Sequence, residues 1–547
     1  MGPSNLLTAF LIFSLLALSS THENGGFALG DADAQEDLEN RAYIDDQEDY
    51  EEYRSRPSDA GLFYRRRLQR VQQRHRKLLG DSPQSAGSLS GARIFNVINY
   101  GADPSGVLDS ADAITQAVNA AFSEQKGSEL LPGINNLGGV VLDLAGGIYN
   151  ISSPIRFPPG GGNVLVQRGT LRASPGFPGD GYIIELVSPE SKRLDRMAMA
   201  DSNKAAAPKN VGIYYEDITF RDVVFDGSFI GGGLLVVDSA RTRIDDCFFI
   251  HFGTDGMLVE GGHETYVAST FVGQYLTIGG DPRERNFSGI GIDLASNDNA
   301  LTDVVIFSAG KGVVLRGQAN MITGVHCYNK ATGFGGVGID VKLPGNSATR
   351  IDNSYLDYTG IVLEDPTQVR ITNSHSRASC STKLLNEDFL QVHVTNCFFL
   401  GDGNILLKSI KGEISGLTIV NNMFVGSHTN VPIVTLDQSN VPFTSVDQVV
   451  IDQNNVNGMM LKSTVGKKTV SGNGTKWSAD FSNLLVFPRH IKHLQYSFLV
   501  RGRTFPKHAV TEVKDNVVVV EADKPVDAIV TVSVDQNLMQ GEKSDYY

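Results

Sequence analysis

Four stretches of the chain read as versions of one another: RIDNSYLDYTG (350–360), ITNSHSRASC (371–380), VTNCFFLGDG (394–403) and IVNNMFVGSH (419–428). An earlier version, RIDDCFFIHFG, occupies 243–253. Each places β-branched residues before an Asn or Asp and a short apolar run after it. The anchors Asn353, Asn373, Asn396 and Asn421 are 20, 23 and 25 residues apart, a period that marks a solenoid. Helical spacing and heptads are absent while β-branched residues fill every unit. The solenoid is therefore expected to be a parallel β-helix rather than a leucine-rich or ankyrin array. In such a fold each coil returns to the same point one strand spacing, about 4.8 Å, further along the axis, so equivalent residues stack. The apolar residues build a continuous core column. Asn at the bend tolerates a left-handed backbone and can bond both its own backbone and the Asn above. The repeat is structural, and a functional site must be sought among residues that break it.

Outward from these units, the repeat is expected to run from Gly212 to Val456 within a helix domain of 91–460. With 58 Gly, one Trp and only 20% charged residues, the whole chain of 547 suits a turn-rich all-β protein. Residues 461–547 change texture: STVGKKTVSGNGTKWSADFSN (463–483) and AVTEVKDNVVVVEADKPVDAIVTVSV (509–534) alternate apolar and polar. They predict a small antiparallel β module, packed on or beyond the helix end, with a turn at Asn473-Gly474. On the amino-terminal side, the apolar run Leu6–Leu18 followed by ALSST (17–21) reads as a signal peptide over 1–20. An acidic run (31–56) and a basic run (64–80) follow in a segment, 21–90, that lacks apolar periodicity and reads as a disordered arm or pro-segment. The mature protein is expected to be secreted, extracellular, monomeric and free of membrane once the signal is cut. Sequons at Asn150, Asn286 and Asn473 fit a glycosylated product.

The net charge of −14 argues against nucleic acid as a partner. Cys247, Cys327, Cys380 and Cys397 are too scattered for a disulfide scaffold or a paired-cysteine zinc site, and no metal or cofactor is implied. They are expected to be inward-facing thiols, with Cys380 and Cys397 the pair to test first for a bridge.

The segment RIFNVINYGADPSGVLDSADAITQAVNAAF (93–122) reads as a strand, a turn and a helix capped by Asp109 or Ser110, with Ile114, Val118 and Phe122 on one face. With the coils that follow, it resembles the amino-terminal signature of the pectin-lyase-like superfamily. The resemblance implies a right-handed parallel β-helix with an amino-terminal capping helix. Within that superfamily the chain resembles the plant quartet-type polygalacturonases, a divergent branch of the polygalacturonase glycoside hydrolases. The implied activity is hydrolysis, with inversion, of α-1,4-galacturonosyl bonds in the acidic wall polysaccharide pectin.

Family motifs carry over unevenly. GTDGMLV (253–259) resembles N-T-D-G, with Asp255 at the Asp and Gly253 replacing Asn. GGHETYV (261–267) resembles the histidine motif but comes early, and Asp245-Asp246 precedes rather than follows the N-T-D-like site. R-I-K is missing, ATRID (348–352) being nearest. From the residues themselves, glycosidic hydrolysis needs carboxylates flanking the sugar, one protonated and one activating water. The densest pattern-breaking polar region holds Asp255, Glu260, His263, Glu264, Asp281, Asp293, Asp298 and Asp303. Asp255, Asp293 and Asp298 are favoured as catalytic, with Glu260, Glu264 and Asp281 in reserve. His263, Lys311, Arg316, Lys330 and Lys342 are the candidates for binding an acidic sugar. Stacked bend carboxylates account equally well for any one of the acidic residues, while solubilising charge is the default reading of each Lys and Arg and a surface or core position that of His263. Three other functions fit the fold: a calcium-dependent pectate lyase, for which DPRER (281–285) is suggestive, a β-1,3-glucanase, and a non-catalytic wall-binding protein.

Overall fold

The computed structural model describes residues 93–124, 128–191, 212–274, 289–328, 336–346, 348–377, 382–386 and 391–537. All belong to the second of two compact units, Phe63–Tyr547. The signal, the charged arm, Asn286, Asp281, Lys330 and Cys380 lie outside the described residues.

The aliphatic residue opening each repeat, β-branched in all but one coil, lands on one column. Ile244, Val267, Leu301, Ile322, Ile351, Ile371, Val394, Ile419 and Ile451 pair in parallel register, coil upon coil. All are buried. A second inward column from the next strand stacks Phe399 on Phe424, centroids 4.6 Å apart and planes 5° from parallel. Among the described residues thirty-six strands join in this way into one sheet wound about a single apolar core. The fold is a right-handed parallel β-helix, the hand that parallel crossover connections take.

The bends explain the anchors, with one correction. Asn353, Asn373, Asn396 and Asn421 are exposed and adopt φ of 48–58°, the left-handed conformation that Asn tolerates. They do not stack into a ladder. The stacking hydrogen bonds come from the residue one step on, which turns inward: Cys397 N donates to Asn422 Oδ1 at 2.9 Å, and Asn422 N to Asn454 Oδ1 at 3.1 Å. Further back in the helix, Asn299 Nδ2 reaches Asn320 Oδ1 at 2.8 Å. Cys247 and Cys397 occupy that inward position, and with Cys327 they are buried.

At the amino-terminal end, helix Ala111–Phe122 buries Ile114 and Val118, and its Phe122 ring packs edge-on against Phe157 at 5.5 Å. The two candidate caps divide the work. Asp109 Oδ1 accepts from Ala111 N at 3.3 Å, whereas the Ser110 hydroxyl accepts from Asp103 N at 3.0 Å and fastens the preceding turn. The Asp103 carboxylate also takes hydrogen bonds from the Ser105 hydroxyl and from the Leu108, Ser105 and Val107 amides, which lower its pKa to about 2.

At the other end, Val465–Asp480, His493–Val500, His508–Lys514 and Val517–Asp535 form an antiparallel sheet with its own core around Trp477. Phe487 crosses into the helix core, its ring 5.8 Å from Phe443. The expected Asn473-Gly474 turn is absent. Both residues run within one long strand, paired to Asp527 and Val526, and a register shift follows between Gly474 and Lys476. Extended pairing along this strand outweighs the local turn preference. Of the other sequons, Asn150 is half-buried and its side-chain amide donates to Gly106 O, while Asn473 is exposed. Among the described residues no helix is long and apolar enough to cross a membrane.

Candidate active site

Glycine decides which side chains leave the core on one of the faces. Gly233, Gly256, Gly291, Gly312 and Gly338 stack in one column of strands Gly232–Val237, Asp255–His263, Ile290–Asn297, Lys311–Leu315 and Val337–Asn346. A Cβ on Gly256 would lie 2.6 Å from Gly291 O, and one on Gly291 would lie 2.7 Å from Gly312 O. Each glycine and the residue after it both face the core, so the usual alternation slips by one. The residue before the glycine and the second one after it therefore share the outer face. That step brings out Asp255 with Leu258, Asp293, Lys311 with Val314, and Asp340.

Asp255 and Asp293 are each 1% exposed, and Asp340 is equally buried. The Tyr182 hydroxyl donates to Asp255 Oδ2. Tyr182 belongs with Leu235, Val237 and Leu258 to a small apolar cluster separate from the core. Arg316 grips Asp293 with both arms, Nε to Oδ1 at 2.9 Å and Nη2 to Oδ2 at 3.0 Å. Asp340 stands in register with Asp293 two strands on. Lys311 contacts Asp340 Oδ2, and Lys342 lies between the same oxygen at 3.8 Å and Glu364 at 3.5 Å. Glu260 faces outward two residues beyond Leu258 and is buried.

The rims carry further charge. Burial alone would raise the Asp226 carboxyl, but His251 at 2.9 Å and Arg172 at 3.0 Å outweigh it and hold it below the usual carboxylate range. At the opposite ends of the strands, burial pushes the Asp238 carboxyl up.

The expected catalytic trio divides. Asp255 and Asp293 share the outer face, whereas Asp298 lies past the strand end, exposed, with φ of 57°. That is the signature of a bend residue, as it is for Asp303 and Glu264 at φ of 53° and 63°. His263 sits beyond a bulge at its strand end, 3.2 Å from Glu264. Lys311, Arg316 and Lys342 lie on the face and pair its carboxylates. Sequence reasoning passed over Asp340, although the signal was present: GIDL (291–294) and GIDV (338–341) repeat one pattern. Among the described residues no group of three or more His, Cys, Asp or Glu side chains is arranged to hold a metal.

Over 464 residues the chain is 49% identical to Polygalacturonase QRT3 of Arabidopsis thaliana, covering 84% of this chain and 88% of that protein. The chain belongs to the polygalacturonase family. No family model matches it. Solved structures with a similar course include an exopolygalacturonase from Thermotoga maritima (TM-score 0.44, 10% identity, 71% of this chain and 96% of that one). A tailspike protein of E. coli bacteriophage HK620, in complex with a pentasaccharide, gives TM-score 0.44 at 11% identity over 81% of this chain and 93% of that one.

Proposed function

We propose that this outer face is the active site of a hydrolase that cleaves α-1,4-galacturonosyl bonds of pectin in the cell wall. The observation that carries the reading is the Asp293–Arg316 fork on the same face as Asp255, in a chain half identical to a plant polygalacturonase. Asp293, gripped by the Arg316 guanidinium, takes the proton of the attacking water. Asp255, which accepts from the Tyr182 hydroxyl, donates a proton to the departing glycosidic oxygen. Their backbones are about 11 Å apart, one coil over and three residues along. The same step separates Lys311 from Asp340, whose side chains meet. Inversion at the anomeric carbon belongs to the same reading, with a carboxyl on either side of the sugar and a water between one of them and the anomeric carbon. Asp340 orients Lys311 and Lys342 toward the carboxylates of the substrate. Export belongs to the same reading and is supported by the apolar leader at 6–18.

The test is release of reducing ends from polygalacturonate, with a melting curve for every variant. Asp255→Asn and Asp293→Asn should each lower the rate by about 100-fold or more, because Asn keeps the shape but neither gives nor takes the proton. Asp298→Asn should leave the rate within about twofold. NMR of the first product anomer checks inversion. Full activity in both of the first two variants would end the assignment.

A further inference from the structure

The carboxyl-terminal module differs in charge from the rest of the chain. Residues 461–537 hold eleven Lys and Arg against seven Asp and Glu, a net of +4 in a chain of net −14. Part of that excess gathers at one end of the module, in the loop from Arg501 to Lys507 and beside it at Lys524. Arg501 N donates to Asp527 O at 2.8 Å, and Lys507 exchanges two 3.0 Å hydrogen bonds with Asp523, so the ends of the loop are fixed. Between them Phe505 is 92% exposed. Arg503, Lys507 and Lys524 are exposed and make no ion pair among the described residues. A lone exposed aromatic residue needs no explanation. A ring held on a pinned tip beside Arg503, Lys507 and Lys524, with Arg501 paired to Asp527 at 3.8 Å, presents both an apolar face and N–H donors for carboxylates.

We propose that Arg501, Arg503, Phe505, Lys507 and Lys524 form a docking site for de-esterified polygalacturonate, separate from the cleaving face. The inference rests on the pectin reading above and names a second contact with the same polymer. Each sugar of that polymer carries one carboxylate and an apolar C–H face, matching guanidinium forks and an aromatic ring. At physiological salt, fields are screened beyond about 8 Å, so an approaching chain meets the basic tip rather than the acidic whole. Holding the polymer here raises its effective concentration at the cleaving face.

The test is affinity electrophoresis of the full chain at 4 °C in gels containing polygalacturonate, fully methyl-esterified pectin or DNA. A variant combining Arg503→Ala, Phe505→Ala and Lys507→Ala is run beside it. The expected result is retardation by polygalacturonate alone, about tenfold weaker in the variant and weaker again in added salt. Equal retardation of both proteins overturns the proposal. So does salt-independent binding to methylated pectin, or equal binding to DNA, which would be plain cation exchange. Matching melting curves confirm that the variant folds. Hydrolysis of a galacturonate trimer should be the same in both proteins. Loss of docking with the trimer still cleaved by both proteins supports the site. If neither cleaves the trimer, the hydrolase reading fails while the docking result stands by itself.

Discussion

His326 shows how a single side chain sets a pH response in this fold. It lies half-buried on the outer face of a coil, its ring edge-on to Phe307 at 5.7 Å and Tyr355 at 5.0 Å. Burial lowers its pKa below the ordinary 6.5 because the charged ring loses water. As pH falls below 6.5 the unfolded chain takes up the proton first. Stability is therefore full above that pH and declines as pH drops toward the folded value. His375, two coils on, is shifted the same way by burial. Melting temperature should fall between pH 7 and pH 5, and by less in His326→Phe, which keeps the ring and removes the proton. Equal losses in both proteins would show that His326 does not contribute.

At the scale of elements, the stacked glycines matter more to the site than any capping or bend residue. They allow successive strands to approach where each would otherwise place a Cβ against the next coil's carbonyl, and they shift the alternation that brings Asp255 and Asp293 to one face. Gly291→Ala would set a methyl 2.7 Å from Gly312 O, with backbone as the obstacle. The strand must shift, at a cost of about 1–3 kcal/mol. Because the displaced strand carries Asp293, hydrolysis should fall with stability, and it should not recover at low temperature where the variant is fully folded. Urea melts beside rate measurements at 10 °C separate the two effects. Recovery of the full rate in the cold would mean that the glycine serves packing alone.

For the molecule as a whole, the exposed end of the solenoid is the vulnerable place, since an uncovered β edge invites pairing with other chains. Helix Ala111–Phe122 covers one end, and the module closes the other through Phe487. Phe487→Ala empties a fully buried ring position at the junction of the two cores and should destabilise by roughly 3–5 kcal/mol. Calorimetry should show one transition for the native chain and, in the variant, the module melting apart from the helix. A single unshifted transition in the variant would show that the two parts are joined elsewhere.

The repeat period, the β-branched columns, the capping helix and the left-handed bends were legible in the sequence, because each depends on local preference repeated at fixed spacing. Asn353 and Asn421 have to be turn residues wherever the coil lies. The partners that make the site were not legible. Asp293 meets Arg316, 23 residues on, and Lys311 meets Asp340, 29 residues on, because coils of unequal length still stack at one strand spacing. Asp298, five residues from Asp293, carries the same side chain, yet the strand ends between them, and one carboxylate is buried on the face while the other turns a bend. Asn473-Gly474 has the composition of a turn but is held straight by pairing to a strand more than fifty residues away. Local chemistry determined the coil and its bends; contacts between coils decided which carboxylates share a face, since that depends on stacking along an axis the linear order does not contain.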